Sequence, residues 1–141
     1  MEICPLCQKH KGKGELANPP GGYIYENEHF MVCHAPVNKG PLGTLFIESK
    51  RHILDFADFN TAEAASFGVL TKRIYSALRL LVEPERIYQV SMMEGIPHFH
   101  AWILPRTAEI KEHSIAFLAK DLTCKEEEAI NLAKALRQAL S

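Results

Sequence analysis

The chain has 141 residues, 47% of them hydrophobic and 23% charged, with a formal net charge of -1. That length and balance predict one globular domain over residues 1–141 with a single core, and lysine and arginine are too scattered to mark a surface for duplex nucleic acid. No apolar run approaches the roughly 20 residues that span a bilayer, and the N-terminus carries Cys4 and Cys7 instead of a basic, apolar leader, so a soluble cytoplasmic protein is expected.

Cys4-Pro5-Leu6-Cys7 forms a Cys-x-x-Cys knuckle. A thioredoxin-like redox pair would sit between a strand and a helix, and only three residues precede Cys4. Zinc fits better, because two thiolates from a tight knuckle and two imidazoles from elsewhere complete a tetrahedral shell. Seven histidines could supply them: His10, His29, His34, His52, His98, His100 and His113. Cys33 and Cys124 stand alone, in an apolar strand and at a helix start, and read as small buried hydrophobes.

Residues 22–25 and 29–33 read as two short strands around the polar turn Glu26-Asn27-Glu28. Pro36 and Asn38-Lys39-Gly40-Pro41 then break the chain, and residues 44–47 resume it as a strand that ends in the basic turn carrying His52. A helix follows, with Asn60 or Thr61 as its cap and Glu63 in its first turn. Phe67, Leu70, Ile74, Leu78 and Leu81 form one apolar core face that ends before Pro84. Residues 86–92 alternate as a strand, and Glu94-Gly95 turns it antiparallel onto the next one.

That next strand is the most informative segment. If residues 98–104 are extended, His98, His100 and Trp102 share one face, with the two imidazoles roughly 7 Å apart, while Phe99, Ala101 and Ile103 share the other. Two titratable rings there are either half-exposed strand histidines facing water or groups in use. The tail, about residues 123–140, reads as a helix with a Thr123/Glu126 capping box and Leu132, Leu136 and Leu140 at four-residue spacing. It serves for packing or as a dimer contact.

His98-Phe99-His100-Ala101-Trp102-Ile103-Leu104-Pro105-Arg106 resembles the signature of the histidine triad superfamily. Residues 43–52, running from Gly43 through an apolar strand to His52, and the Cys4-x-x-Cys7 knuckle resemble the matching parts of its zinc-containing branch, which includes the galactose-1-phosphate uridylyltransferases. The resemblance spans most of residues 4–106. It implies an α+β fold, an antiparallel sheet of about five strands packed with one long helix plus the C-terminal helix, and a homodimer. It also implies a structural zinc held by Cys4, Cys7, His52 and His98, and a nucleotide substrate. The nucleophile it implies is His100, which takes a nucleoside monophosphate at its α-phosphorus. A neutral imidazole suits that attack, with its second nitrogen held as a donor.

Three positions depart from the pattern. Trp102 replaces the third histidine, and an indole N–H donates a hydrogen bond but releases no proton. The uridylyltransferases carry glutamine there, so nucleotidyl transfer stays open, with Trp102 donating to a phosphate oxygen, stacking on a base or narrowing the pocket. The turn before the motif is short: backbone N–H groups around Gly95 are left to receive phosphate, and an inward Glu94 would repel it. The ribose-holding residue is replaced near His34-Ala35-Pro36, with His34 or Asn38 as substitutes, unless His34 is a surface histidine. Two functions follow: a nucleotidyl hydrolase or transferase working through His100, or a zinc-stabilised nucleotide-binding module without turnover.

Overall fold

The computed structural model describes residues 4–141. The chain runs α1 (Pro5–His10), β1 (Tyr23–Glu26), β2 (Phe30–His34), β3 (Leu45–Ser49), α2 (Thr61–Leu81), β4 (Arg86–Val90), β5 (His100–Arg106), α3 (Ile115–Ala119) and α4 (Glu126–Leu140), with one 3-10 turn at Phe56–Asp58. The strands form one antiparallel sheet in the order β1-β2-β3-β5-β4, the expected α+β arrangement.

Cross-strand partners in an antiparallel sheet share a face, so the register sorts the side chains. Val32, Ile47 and Ala101 make one row, all fully buried, and it faces the core that α2 and α4 cover. The rows on either side point the opposite way: Met31, Glu48 and His100 in one, Cys33, Phe46 and Trp102 in the other. One face of the sheet is therefore plain apolar core and the other carries the ionisable residues.

Helix α2 starts where its sequence says. The Asn60 side chain accepts the Glu63 N–H at 2.8 Å and the Glu63 carboxylate accepts the Asn60 N–H at 2.9 Å, a full capping box with Asn60 as the cap. Phe67, Leu70, Ile74 and Leu78 are buried on its inner face, each worth about 1.5–3 kcal/mol of hydrophobic transfer. Leu81, predicted as the fifth member of that face, lies in the last residue of the helix and is 39% exposed.

Helix α4 packs on α2 and β1 through Leu132, Ala133, Leu136 and Leu140. Its start corrects the sequence reading. The cap position falls on Lys125, no side chain caps the helix, and Glu126 is its first residue, so no Thr123/Glu126 box exists. The physical reason is a tertiary bond: the Cys124 N–H donates to the Val37 carbonyl and holds residues 123–125 extended against the loop after β2. Cys124 is also half-buried, not buried as expected, whereas Cys33 is fully buried. No helix among the described residues is long and apolar enough to cross a membrane.

The motif strand begins later than its sequence pattern predicts. β5 pairs with β3 from His100 onward, and His98 lies in the turn before it, fully buried. Ser49 N–H donates to the Phe99 carbonyl and Phe99 N–H to the Ile53 carbonyl, so β3 runs on beside residue 99 and then draws the chain toward the turn after Ser49. His98 and His100 therefore do not share a strand face.

Candidate functional site

The knuckle is built by a short helix. Cys4 caps α1, its sulfur accepting the Cys7 N–H at 3.4 Å, and Pro5 occupies the first helical position, where no N–H is needed. This turns both sulfurs toward His98, whose Nδ1 lies 3.3 Å from Cys4 Sγ, 3.5 Å from Cys7 Sγ and 3.2 Å from His52 Nδ1. His52 Nδ1 is 3.4 Å from Cys7 Sγ. All four ligand atoms fall within 4.8 Å of one another and could hold one metal ion.

Two observations test the fit. With ligand distances of about 2.0 Å to nitrogen and 2.3 Å to sulfur, the edges of a tetrahedron measure about 3.3–3.8 Å, close to the four contacts of 3.2–3.5 Å here, within a set that spans 4.8 Å at most. The far nitrogen of His98, Nε2, donates to the Ser49 carbonyl at 2.7 Å, which leaves the Nδ1 lone pair facing the sulfurs. Burial pushes the His98 pKa down and so favours the neutral, ligating ring. Burial and the neighbouring Cys4 push the Cys7 thiol up, a cost that a bound cation would reverse by stabilising the thiolate.

His52 is exposed, and its turn is fixed from outside the cluster. Arg51 donates through Nε at 3.1 Å and Nη2 at 2.7 Å to the Glu63 carboxylate in the first turn of α2. The α2 cap and the turn that carries His52 are thus one connected structure.

His100 is held in the opposite sense. Its Nδ1 donates to the His98 carbonyl at 2.8 Å, which leaves Nε2 as the ring's acceptor nitrogen. The residue lines a cavity of about 620 Å³ on the ionisable face of the sheet. Loop residues 36–39 and 92–96, the segment 15–20 and the start of α4 enclose it, and its walls include Phe46, Trp102, Ile96 and Lys9. Met93, in the loop that leads to His98, has a positive φ of 61°, a conformation that costs a non-glycine residue about 1 kcal/mol or more.

No protein-family model matches the sequence, and no curated protein matches it significantly. Solved structures match its shape. A zinc-bound histidine triad family protein from Mycobacterium smegmatis aligns with a TM-score of 0.69 at 21% identity, over 96% of this chain and 94% of that one. A histidine triad protein from Bradyrhizobium japonicum aligns at 0.71 and 16%, covering 84% of this chain and 90% of that one. A HIT family protein from Bacillus anthracis aligns at 0.65 and 17%, covering 99% of both. The fold is that of the histidine triad proteins.

On this histidine triad fold the remaining sequence-derived residues fall as follows. Trp102 lines the cavity half-buried, its ring edge-on to Phe46 with centroids 4.7 Å apart and planes at 77°. Gly95 and Asn38 are exposed on the two loops at the cavity mouth, and a Cβ at Gly95 would meet nothing within 4 Å. His34 is not a surface histidine. It is 1% exposed, Nδ1 donating to the Ala35 carbonyl at 2.7 Å and Nε2 accepting the Gly43 N–H at 3.0 Å. Both ring nitrogens are engaged, so His34 braces the loop and has none left for a ribose hydroxyl. Gly43 must be glycine there: its φ is +92° and a Cβ would come 2.8 Å from Pro105.

The sequence reading missed a buried polar cluster in the floor of the cavity, to which Lys9 and Glu48 both contribute. Glu48, fully buried and directly across from His100, accepts hydrogen bonds from Lys9 Nζ, His10 Nε2 and the Tyr23 hydroxyl. Lys9 Nζ also lies 3.1 Å from Cys33 Sγ. Burial alone would raise the Glu48 pKa, and the bonds from His10 and Lys9 more than reverse it, so the carboxylate form is favoured. Burial would likewise lower Lys9, and its contacts with the Cys33 sulfur and the Glu48 carboxylate more than offset that. Cys33, desolvated and next to Glu48, is pushed up to about 12 and stays a thiol. Only the alternation of β3 hinted at this: Glu48 shares its face with Phe46, where a buried strand would carry apolar residues throughout.

Proposed function

We propose that the chain is a nucleotidyl hydrolase or transferase that acts at the α-phosphate of a nucleoside phosphate derivative through a covalent nucleotidyl-His100 intermediate. The observation that carries this reading is the orientation of His100, whose Nδ1–H is committed to the His98 carbonyl so that Nε2 keeps a lone pair beside the cavity. Nε2 attacks the α-phosphorus as a neutral nucleophile, and the Nδ1–H···O=C bond stabilises the charge that develops on the ring. Exposed backbone around Gly95 and the Asn38 side chain stand at the mouth to receive phosphate and sugar groups.

Zinc held by Cys4, Cys7, His52 and His98 supplies structural cross-linking when bound, since a four-ligand site is closed to substrate. The donor set and the second hydrogen bond of His98 support this metal, and the zinc-bound Mycobacterium smegmatis protein supports it by analogy. His98 then fixes the carbonyl that orients His100. The metal acts on the reaction only through that geometry.

Trp102 favours a second reading, a nucleotide-binding module without turnover, because it offers no proton for a leaving group. One experiment separates the two. The protein is incubated with nucleoside phosphoramidates and dinucleotide polyphosphates, quenched and weighed intact. The enzyme reading expects a nucleotidyl adduct that His100→Ala lacks. Absence of both adduct and turnover across the panel would leave only the binding module.

A further inference from the structure

We infer that Lys9 is a specificity-determining residue for the nucleobase: its ammonium holds one uncommitted N–H in the floor of the cavity, which selects a base with a carbonyl oxygen at its far edge over one with an amino group there. The inference rests on the reading above that a nucleotide fills the cavity, and it names the class of base within that reading.

The charged residues that line the cavity fall into two groups. Glu15, Lys39, Glu94 and Glu126 are exposed, whereas Lys9 and Glu48 are buried, at 4% and 0% exposure. A few fixed polar groups in an otherwise apolar pocket set the orientation and identity of its ligand, and only the buried pair is fixed in this way. Glu48 has nothing left to offer. Its Oε1 accepts from His10 Nε2 at 2.9 Å and from the Tyr23 hydroxyl at 3.3 Å, and its Oε2 accepts from Lys9 Nζ and lies 3.7 Å from Cys33 Sγ. These fill the roughly four lone-pair sites of a carboxylate. Lys9 differs. An ammonium has three N–H donors, and Nζ commits two of them, one to Glu48 Oε2 and one to Cys33 Sγ at 3.1 Å. Among the described residues it donates to no third acceptor, so the floor presents a spare donor and no spare acceptor.

The sheet places that donor relative to the nucleophile. Strand β3 lies between β2 and β5. Lys9 Nζ is bonded to Cys33 on β2 and Glu48 on β3, whereas His100 opens β5, so Nζ stands one to two strand spacings, about 5–10 Å, across the sheet from His100. Phe46 occupies the interval: its ring centroid is 5.5 Å from Lys9 Nζ and 6.2 Å from the His100 ring, and Trp102 packs edge-on against it. A nucleotide with its phosphorus at His100 Nε2 and its base along Phe46 carries the far edge of that base toward Lys9. Leu6, Leu16, Pro19 and Val37 add apolar lining and no competing side-chain hydrogen bond. A carbonyl oxygen of uracil or hypoxanthine accepts the spare N–H, and such charge-assisted bonds are strong in a site shielded from water. The amino group of cytosine or adenine at the same ring position sets N–H against N–H and leaves the buried donor unpaired.

The test measures binding of nucleoside 5′-monophosphates to the wild-type protein by calorimetry, in pairs that exchange a carbonyl for an amino group: inosine against adenosine, and uridine against cytidine. In the pair that binds more tightly, the carbonyl member is expected to bind at least about tenfold tighter than the amino member, the low end for a hydrogen bond to a charged group. The 2′-deoxy and 3′-deoxy forms of the tightest member show whether a sugar oxygen is the acceptor instead. In Lys9→Met combined with Glu48→Gln, which removes both buried charges together, the preference is expected to disappear. Equal binding within the tighter pair, or tighter binding of its amino member, would overturn the inference and needs no variant to fold. A loss on a deoxy sugar without a preference between bases would overturn it too, by giving the bond to the ribose. A preference that survives in the folded double variant would remove Lys9 from the role. Failure of every monophosphate to bind would overturn the nucleotide reading and this inference together, whereas selective binding without a nucleotidyl adduct would sustain this inference while the turnover reading falls.

Discussion

His98 and His100 each give one ring N–H to a main-chain carbonyl, but from opposite nitrogens. His98 donates through Nε2 to Ser49 and keeps Nδ1 for the sulfurs, whereas His100 donates through Nδ1 to His98 itself and keeps Nε2 beside the cavity. One is fully buried in a turn, tied to Cys4, Cys7 and His52, and the other opens a paired strand. Two histidines in one short motif thus acquire different chemistry because a single hydrogen bond selects which lone pair is available. The bond from His100 to the His98 carbonyl also joins the two regions, so the Cys/His cluster and the second ring share one stretch of backbone.

Four results would break or sharpen that division. Removing metal by chelation, or making Cys4→Ala with Cys7→Ala, is expected to lower the thermal midpoint by about 10 °C or more and abolish about one bound zinc per chain, since a bound ion at about 1,000 times its Kd adds roughly 4 kcal/mol. Calorimetry with metal analysis checks this, and full stability without metal would contradict a structural role. His100→Ala is expected to remove the nucleotidyl adduct and at least about 10³-fold of kcat/KM, while shifting the thermal midpoint by no more than a few degrees. Steady-state kinetics beside a melting curve reads both.

Glu48→Gln probes the floor that the two regions share. Leaving Lys9 buried without its carboxylate is expected to cost about 3 kcal/mol in denaturant unfolding. The sign with pH follows from the depressed carboxyl. Glu48 contributes stability above its unfolded pKa of roughly 4.3 and loses it as pH falls through the lower folded value. Wild-type stability should therefore fall below about pH 4.3 by a component that the variant lacks. The smallest effects concern the two helix starts. Asn60→Ala should cost about 1 kcal/mol and Thr123→Ala less than about 0.5 kcal/mol, because only the first caps a helix.

That last pair shows what could be read from the sequence and what could not. Local periodicity was enough for α2, because Asn60, Glu63, Phe67 and Leu70 are set by contacts within a few residues. The same reasoning placed Thr123 as a cap and failed, since the Cys124–Val37 bond joins residues far apart in the chain. Alternation identified the apolar and polar sides of β5 but not where pairing begins, which the run of β3 past Ser49 decides. The Cys4/Cys7 pair was readable from its spacing, whereas the choice of His52 and His98 to cluster with it came only through resemblance to a known pattern. The Lys9–Glu48 contact, from α1 to β3, had no sequence signal beyond a charged residue in an apolar strand. His34 was misread because its partner, the Gly43 N–H, carries no side chain to mark it.

The division of labour is tested most directly by weighing His100→Ala in its native state after incubation with a nucleoside 5′-phosphoryl donor that labels the wild type. The expected result is one bound zinc and no nucleotidyl group on the variant, against one of each on the wild type. A variant that still takes the nucleotidyl group, or that has lost the metal, would contradict the assignment of His98 to the metal and His100 to the phosphorus.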